Sequence, residues 1–252
     1  MRYLVALVTL VGATLLSSGY VVLAEDSAPT YSAGVHAWRN VGGDLQPYFI
    51  VDDAGLWPTH QIEVCWVTLT LDQAKERALA QSAVQKFIEA NSDFRFGQSW
   101  NKCDSTLKAR IQITVADTDE ESEVGYKGGS FPTDISLNFQ FKRWNPDCSV
   151  TEDRRQNCIQ TVAVHEFLHA LGTLHEQLSQ DLAQKDPACY LLYKDRQDYF
   201  GARPRALTEY DAGSIMNYCN KIYATPPHLS DLDIKGLKAL SARSGQLPSV
   251  GL

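Results

Sequence analysis

Residues 165–176 read HEFLHALGTLHE, and the interpretation of the chain begins with this stretch. It contains His165, His169 and His175, which are three of the six histidines. On a helix, His165 and His169 would lie on one face because they are four residues apart. Gly172 allows the chain to leave the helix with a positive φ and to turn back. The spacing therefore predicts that the three imidazoles meet at one point.

Three neutral imidazoles form a typical zinc ligand set that leaves a fourth coordination position open. Glu166 would reach a water molecule at that position without binding the metal itself. Zinc would activate the water and polarise a carbonyl group, and Glu166 would be the general base. The motif thus predicts one catalytic zinc ion and hydrolysis of a peptide bond. A structural zinc site would normally have a cysteine as its fourth ligand and would not need Glu166.

Hydrophobic periodicity places this motif in an α+β chain. The motif helix is expected to begin at Thr151 or Glu152 and to end at Leu171. An earlier helix is expected to open with a capping box at 70–73 and to reach about residue 90. Its predicted buried stripe consists of Leu71, Ala74, Ala78, Val84, Phe87 and Ile88. Strands are predicted at 61–70, 93–96, 109–116 and 135–141.

The remaining segments are less regular. Residues 117–123 are predicted to form an acidic loop that is exposed to solvent, and the alternative is that this loop binds calcium. Val124–Lys127 is predicted to be a short edge strand before Gly128-Gly129. The chain from Gly172 to Ser230 shows no clear periodicity. A capping box at Ser230–Asp233 then predicts a last helix, with Leu232, Ile234, Leu237 and Leu240 inward.

Composition limits the functional classes. The chain has 252 residues, of which 44% are hydrophobic and 21% charged, and this is a globular composition. Its net charge is −7 at pH 7, and it has no basic run. This balance argues against nucleic-acid binding and against docking on anionic lipid. A protein or peptide is the expected partner, and the oligomeric state is left open.

The N-terminus has the pattern of an export signal. Arg2 precedes an apolar stretch, and Val22 and Ala24 fit a signal peptidase site. We expect residues 1–24 to be a cleaved signal peptide, so that the mature chain is secreted or periplasmic and has no membrane attachment. The alternative is an uncleaved anchor. Residues 25–53 are interpreted as a pro-segment or an N-terminal arm, and 54–252 as the catalytic domain.

The motif from His165 to His175 resembles the extended zinc signature of metzincin metallopeptidases. Ser214–Tyr218, with Met216 at its centre, is similar to the methionine turn of that group, and Glu176 points to the astacin-like branch. The segment LWP at 56–58 also resembles the start of an astacin catalytic domain. The resemblance implies a two-lobed α+β domain with a mixed twisted sheet, two long helices in the upper lobe, and an irregular lower lobe that ends in a helix.

The same resemblance implies individual roles. Tyr218 would be a movable fifth zinc ligand that assists catalysis, and Glu176 would form a buried salt bridge near the mature N-terminus. Met216 would lie beneath the metal. Asp44, in Gly43-Asp44, could be a latency switch that caps the zinc, and the alternative for it is an ordinary turn. Core packing is the alternative for Met216 and Tyr218.

An even number of cysteines in an exported chain suggests three disulfides. The preferred pairing is Cys65–Cys103, Cys148–Cys158 and Cys189–Cys219. A free Cys65 acting as a thiolate latch on zinc is the alternative.

Two rival functions remain open at this point. The first is a catalytically silent zinc module that binds a protein partner, against which the intact Glu166 argues. The second is a zinc hydrolase that acts on peptide cross-links of the cell wall. Zinc is the expected cofactor in both.

Overall fold

A mixed four-stranded sheet and two long helices are the main elements of the computed structural model, which describes residues 49–97, 100–104, 110–128, 131–179, 182–194 and 204–245. The strands are β1 (Ile50–Asp52), β2 (Val64–Trp66), β3 (Ile111–Val115), β4 (Glu121–Ser122), β5 (Thr133–Leu137) and β6 (Pro204–Ala206). The helices are α1 (Ala74–Phe87), α2 (Glu152–Ala170), α3 (Leu182–Lys185), α4 (Pro187–Tyr193) and α5 (Asp231–Arg243). The predicted α+β class is confirmed.

The sheet has the strand order β2-β3-β5-β4. β2, β3 and β5 are parallel, and β4 pairs with β5 in the antiparallel direction. Alternate residues of the central strands, such as Ile111 and Ile113, are fully buried. β5 continues the alternation of Ile135, Leu137, Phe139 and Phe141, as predicted, although the ladder ends at Leu137.

α2 packs against β4 and β5, and α1 packs against α2. The side chains between these elements include an aromatic group centred on Phe167. Its ring is stacked on Trp100 at a centroid distance of 5.0 Å and meets the edge of Phe96 at 5.1 Å. Burial of large aromatic side chains supplies much of the hydrophobic stabilisation of a core. The helix that carries the motif is therefore anchored in the core by its own residues.

The predicted buried stripe of α1 is wrong in its first half. Leu71 is 95% exposed, and Ala74 and Ala78 are also exposed. The α-helix begins only at Ala74, after a 3₁₀ turn, and the Thr70 hydroxyl donates to the Gln73 side chain instead of capping a backbone N–H. The buried positions are Arg77, Ala80, Ala83 and Val84, followed by Ile88 just beyond the helix. The later start changes which residues face α2.

The predicted strand at 61–70 is shorter in the structure. Only Val64–Trp66 pair with β3, and Val67 and Leu69 beyond them are 41% and 46% exposed. The predicted strand at 93–96 is reduced to an isolated bridge between Gln61 and Arg95. An alternating sequence pattern does not show how many residues pair with a neighbouring strand. The ends of a strand depend on that pairing.

The predicted edge strand at Val124–Lys127 is also wrong in position. The edge of the sheet is β4, Glu121–Ser122. In the predicted segment, the Gly125 N–H donates to the His169 carbonyl at 3.0 Å, and the Tyr126 N–H donates to the Gly55 carbonyl at 2.8 Å. These two N–H groups are therefore already used within the chain.

Phe49, Ile50 and Val51, at the end of the predicted pro-segment or N-terminal arm, are buried in the core. Phe49 and Val51 are 2% and 0% exposed, and β1 pairs with β6. A Cβ atom at Gly236 would lie 2.1 Å from Cγ of Phe49, so the glycine is required for α5 to approach this closely. Residues 1–48, with the predicted signal peptide and Asp44, lie outside the described residues.

Three disulfides are present, and each joins the predicted cysteines. They are Cys65–Cys103, Cys148–Cys158 and Cys189–Cys219. Cys65 is therefore not a free thiolate. α3, α4 and β6 lie in the segment for which the sequence predicted no regular structure. Within the described residues, no helix combines the length and the apolar character needed to cross a membrane.

Candidate active site

α2 carries three of the predicted site residues into the interior. Its N-terminus is capped by Thr151, whose hydroxyl accepts a hydrogen bond from the Arg154 N–H at 3.2 Å. His165, Glu166 and His169 are 0%, 1% and 4% exposed. His165 and His169 share one face of the helix, with ring centroids 4.8 Å apart. The predicted extent of this helix is confirmed, since it runs from Glu152 to Ala170 with Leu171 as its last capping residue.

The chain leaves α2 at Gly172, which has a φ of 105°. A side chain would be strained at this backbone conformation. The Gly172 N–H donates to the His169 carbonyl at 2.7 Å, and the Thr173 N–H donates to the Leu168 carbonyl at 3.0 Å. These bonds satisfy carbonyl groups at the end of the helix, where glycine is the preferred residue. The predicted conformation of Gly172 is confirmed.

β1 holds the chain between Gly172 and His175. The Asp52 N–H donates to the Gly172 carbonyl at 2.8 Å, and the Leu174 N–H donates to the Ile50 carbonyl at 2.7 Å. Val51 forms an antiparallel bridge with Thr173. The position of the third histidine therefore depends on a strand that precedes it by more than a hundred residues in the sequence.

The structure brings His165, His169 and His175 together. The distance from His175 Nε2 to His165 Nε2 is 3.1 Å, and that from His175 Nε2 to His169 Nε2 is 2.9 Å. Their potential ligand atoms all lie within 4.8 Å of one another, and all three residues are buried. Two ligands at about 2.0–2.1 Å from one zinc ion would themselves be roughly 3.3 Å apart. The cluster has the dimensions of a single metal site.

Hydrogen bonds orient two of these rings. His165 Nδ1 is 2.8 Å from the Ile215 carbonyl oxygen, and His169 Nδ1 is 2.8 Å from the Thr173 carbonyl oxygen. A carbonyl oxygen can only accept, so each Nδ1 carries the proton and each neutral ring has its lone pair on Nε2. Outer hydrogen bonds of this kind are typical of metal-binding histidines.

Burial keeps the imidazoles neutral. It lowers the pKa of His165 to about 3, assisted by repulsion from His169, and the pKa of His169 to about 4. It also lowers the pKa of His175 well below its usual range, with further contributions from the other two rings. A buried group of neutral imidazoles with converging Nε2 atoms fits one divalent cation that accepts nitrogen ligands.

Glu166 lies beside this cluster with one carboxylate oxygen, Oε2, buried and without a hydrogen-bond partner. Burial raises the pKa of its carboxyl group well above the usual value, and the negative charge of Glu121 adds to the effect. A carboxyl group with a raised pKa holds a proton more strongly than an exposed one, which suits a general acid or base. Glu166 is chemically suited to proton transfer.

The segment Ser214–Tyr218, the predicted methionine turn, is hydrogen-bonded to the histidine motif. Met216 is 1% exposed, and its carbonyl oxygen accepts a hydrogen bond from the Glu176 N–H at 3.0 Å. Ile215 contributes the carbonyl that orients His165. The turn therefore touches both ends of the motif, at His165 and immediately after His175.

Asp233 holds this turn and the last helix at the same time. Its Oδ1 accepts from the Ser214 hydroxyl at 2.6 Å, and its Oδ2 accepts from the Ile215 N–H at 3.0 Å. Oδ2 also accepts from the Ser230 N–H at 3.0 Å, which completes the predicted capping box of α5. A hydrogen-bonded path thus leads from Asp233 through Ile215 to the ring of His165.

Tyr218 and Glu176 flank the cluster. The Tyr218 ring is stacked on His165 at a centroid distance of 5.3 Å and lies 4.4 Å from the ring of His175. Glu176 is 1% exposed, and its Oε2 accepts from the Asp211 N–H at 3.3 Å. A salt bridge between Glu176 and the mature N-terminus stays a prediction.

The sequence motif led to the histidines, Glu166, Gly172, Met216, Glu176 and Tyr218. The structure brings the three histidines together, stacks Tyr218 on His165 and joins Glu176 to Met216 by a backbone hydrogen bond. Asp44 lies outside the described residues. Sequence reasoning missed the positioning role of Asp233, although its capping box was predicted. It also missed Glu120, a buried carboxylate whose place within an acidic run concealed it.

No protein-family model and no curated protein matches the chain. Several solved structures are similar to it, among them the following two. One is myroilysin, at 19% sequence identity and a TM-score of 0.48, with 75% of this chain and 96% of that chain covered. The other is high choriolytic enzyme 1, a hatching-enzyme zinc protease of the medaka fish Oryzias latipes, at 20% identity and a TM-score of 0.49, with 75% of this chain and 95% of that chain covered.

Proposed function

We propose that this protein is an exported zinc metalloendopeptidase of the astacin-like metzincin type. The observation that carries the proposal is the meeting of three buried Nε2 atoms, from His165, His169 and His175, beside the buried carboxyl group of Glu166. Nitrogen donors in this arrangement suit zinc, and the carboxyl group would be unnecessary in a purely structural site.

The three histidines would hold one zinc ion. When bound there, zinc supplies Lewis acidity, which makes water nucleophilic near neutral pH and polarises a carbonyl group. The carbonyls of Ile215 and Thr173 fix the tautomers of His165 and His169, so that both rings present Nε2. The stacked ring of Tyr218 limits the room on one side of the cluster.

Glu166 would act as general base. It would accept a proton from the water molecule whose oxygen attacks the peptide carbonyl carbon, and it would then donate that proton to the amide nitrogen as the C–N bond breaks. Its buried position and raised carboxyl pKa support both steps. The Tyr218 hydroxyl would donate a hydrogen bond to the negative oxygen that develops in the transition state.

An extended peptide would bind along β4, in place of the segment Val124–Lys127 that the sequence indicated. The Glu123 N–H donates to the Asp134 carbonyl at 3.0 Å, so Glu121 and Glu123 direct their backbone groups towards β5. Because alternate residues of a strand direct these groups to opposite sides, those of Ser122 face away from the sheet. Ser122 is therefore the proposed backbone contact for a peptide added to this edge.

Export is the second part of the proposal. Residues 1–24 would be removed as a signal peptide, and the mature protein would be secreted or periplasmic. Three disulfides agree with an oxidising compartment. Asp44 would maintain latency until the segment before the catalytic domain is cleaved.

The test compares the purified mature protein with Glu166→Gln and, as control, with Asp153→Asn, an exposed residue in the first turn of α2. We expect about one zinc ion in each protein and cleavage of an unstructured protein such as casein by the wild type. Glu166→Gln should lower kcat/KM by about 10²–10⁴-fold, the usual contribution of a general base. Asp153→Asn should match the wild type.

Zinc binding with equally low turnover in the wild type and in Glu166→Gln would contradict the proposal and favour a binding module. Release of cell-wall peptide fragments without cleavage of casein would move the substrate to cell-wall cross-links. Absence of zinc from all three proteins after incubation with it would refute the metal site itself.

A further inference from the structure

Glu120 is a buried carboxylate within an otherwise solvated acidic run. It is 5% exposed, whereas its neighbours Asp119 and Glu121 are exposed. Burial of a charged group is costly unless a partner compensates for it, so such residues are seldom fully buried alone.

Two other carboxylates of this run, Asp117 and Glu123, have structural partners. Asp117 Oδ1 accepts from the Lys142 N–H at 3.0 Å and from the Asn138 side-chain amide at 3.2 Å. Glu123 Oε2 accepts from the Asp134 N–H at 3.1 Å. These bonds hold the loop against the turn after β5 and against β5 itself. Asp117 and Glu123 thus have a structural role in holding the loop, whereas no such role accounts for the buried carboxylate of Glu120.

In the described part of the chain, no other residue donates a hydrogen bond to either carboxylate oxygen of Glu120. The charged groups that act on it most strongly, Glu166 and Asp119, are both anionic. Burial, only partly offset by the residue's own backbone N–H, raises the pKa of its carboxyl group well above the usual value. Buried acceptors normally have a hydrogen-bond donor, and the carboxylate of Glu120 has none from another described residue. Because the neighbouring charged groups are anionic, a cationic donor is favoured there.

Glu120, whose carboxylate oxygens lack a hydrogen-bond donor from another residue of the described ranges, lies beside the proposed active site. It directly precedes β4, which packs against α2, and the chain after β4 is tied to α2 by the bond from the Gly125 N–H to the His169 carbonyl. Glu166 on α2 acts electrostatically on Glu120 and has a buried unpartnered oxygen of its own. Among the described residues, both carboxylate oxygens of Glu120 and one of Glu166 thus lack a hydrogen-bond partner near α2, and Glu166 is already proposed for proton transfer.

We infer that Glu120 is a specificity residue that binds a cationic group of the substrate next to the bond to be cleaved. The chemistry is that of an ammonium or guanidinium group, which donates charge-assisted hydrogen bonds to a carboxylate. This group can come from a lysine or arginine side chain or from a free peptide N-terminus. The inference rests on the proposed peptidase function and names its substrate class.

The experiment uses full-length mature protein and quenched fluorescent peptides in three matched pairs. Lysine is exchanged for norleucine, arginine for citrulline, and a free N-terminus for an acetylated one, each near the scissile bond. The variants are Glu120→Gln and the control Asp119→Asn, which removes a charge from the exposed neighbour. We expect the wild type and Asp119→Asn to cleave one of the cationic peptides at least about 10-fold faster than its neutral partner, because a desolvated charge pair contributes strongly to recognition. Glu120→Gln should abolish that ratio while it cleaves the neutral peptides normally.

The identity of the preferred pair distinguishes a basic side chain from a terminal ammonium group. A ratio that is the same in the wild type and in Glu120→Gln, or a wild type without any cationic preference, would overturn the inference and leave the proposed function intact. A wild type that cleaves no peptide at all would overturn the proposed function instead.

Two readouts are independent of turnover. In the Glu166→Gln background, the cationic peptide should bind at least about 10-fold more weakly after Glu120→Gln, as measured by calorimetry. Glu120→Gln alone should leave the thermal midpoint unchanged or higher, because it removes an unpaired buried carboxyl group. A lower midpoint would indicate a structural role, and a lower zinc content of Glu120→Gln would indicate a metal ligand. Either result would contradict the inference.

Discussion

Asp233 connects the segment Ser214–Tyr218 to the start of α5 through one carboxylate. It accepts from Ser214 and Ile215 in that segment and from the Ser230 N–H at the start of α5. Burial raises the pKa of its carboxyl group, and the hydrogen bonds from these residues oppose that effect. Because the Ile215 carbonyl orients His165, the geometry of the histidine cluster depends on a residue that does not belong to it.

We therefore expect Asp233→Asn to weaken zinc binding. An amide group has only one acceptor oxygen, and its NH₂ group would face backbone N–H donors, so at least one buried donor loses its partner at a cost of about 1–3 kcal/mol. Zinc affinity should fall by about 10–100-fold, as for other residues that orient metal ligands. Competition with a chelator measures this. An unchanged affinity would show that the turn holds His165 without Asp233. Asp231→Asn, which changes an exposed aspartate two residues earlier in α5, is the control.

Arg155 joins α1 to α2. Its guanidinium group donates to Glu76 of α1 at 2.9 Å, to Glu152 of α2 at 2.8 Å, and to the Phe139 carbonyl at 2.9 Å. Lys75 adds a second link from α1 to Glu152 at 2.8 Å. These contacts lie at the far end of α2 from the histidines and fix how the two long helices are placed side by side.

This network predicts a pH dependence of stability. Hydrogen bonds from Lys75, Gln156 and Arg155 lower the pKa of Glu152 from 4.5 to about 2. A carboxyl group with a lowered folded-state pKa stabilises the protein above its unfolded-state pKa, and this contribution is lost as the pH falls through the folded-state value. The stability difference between wild type and Glu152→Gln should therefore be largest above pH 4.5 and should vanish towards pH 2.

Urea unfolding at several pH values measures this difference from the midpoints. Asp153→Asn, the exposed neighbour of Glu152 in the same first turn, serves as the control. A wild-type advantage over Glu152→Gln that stays constant down to about pH 2 would contradict the assignment. Surface ion pairs usually contribute little, so the test depends on the trend with pH more than on the size of the difference.

Three disulfides cross-link the chain, two of them before His165 in the sequence and one after His175. Cys65–Cys103 joins β2 to the segment after Trp100, and Cys148–Cys158 joins the turn before α2 to α2 itself. Cys189–Cys219 joins α4 to the residues that follow the methionine turn. Of the three disulfides, Cys189–Cys219 lies nearest the site in the chain. Cys189 is in α4, which packs against the turn after His175, and Cys219 directly follows Tyr218.

Removal of Cys189–Cys219 by a double alanine substitution should therefore affect both stability and the metal site. Closing a loop of 30 residues contributes about 3–4 kcal/mol in the chain-entropy description. We expect a clear fall of the thermal midpoint together with weaker zinc binding. Removal of Cys148–Cys158, which spans 10 residues, should lower the midpoint less and leave zinc affinity unchanged. Equal zinc affinity in the two double variants would contradict this assignment.

The amino-acid sequence by itself determined the features that depend on local spacing. The i, i+4 relation places His165 and His169 on one helix face, Gly172 permits the turn after α2, and the Ser230–Asp233 capping box starts α5. These follow from helix geometry and from hydrogen bonds between near neighbours, which need no knowledge of the rest of the chain.

Only the tertiary structure decided the features that depend on distant partners. It assigned β1 to the support of His175, moved the edge strand from Val124–Lys127 to β4, exposed Leu71, and buried Glu120. In each case the outcome depends on which remote segment packs or pairs there. Side-chain periodicity specifies a face but not the partner that covers it.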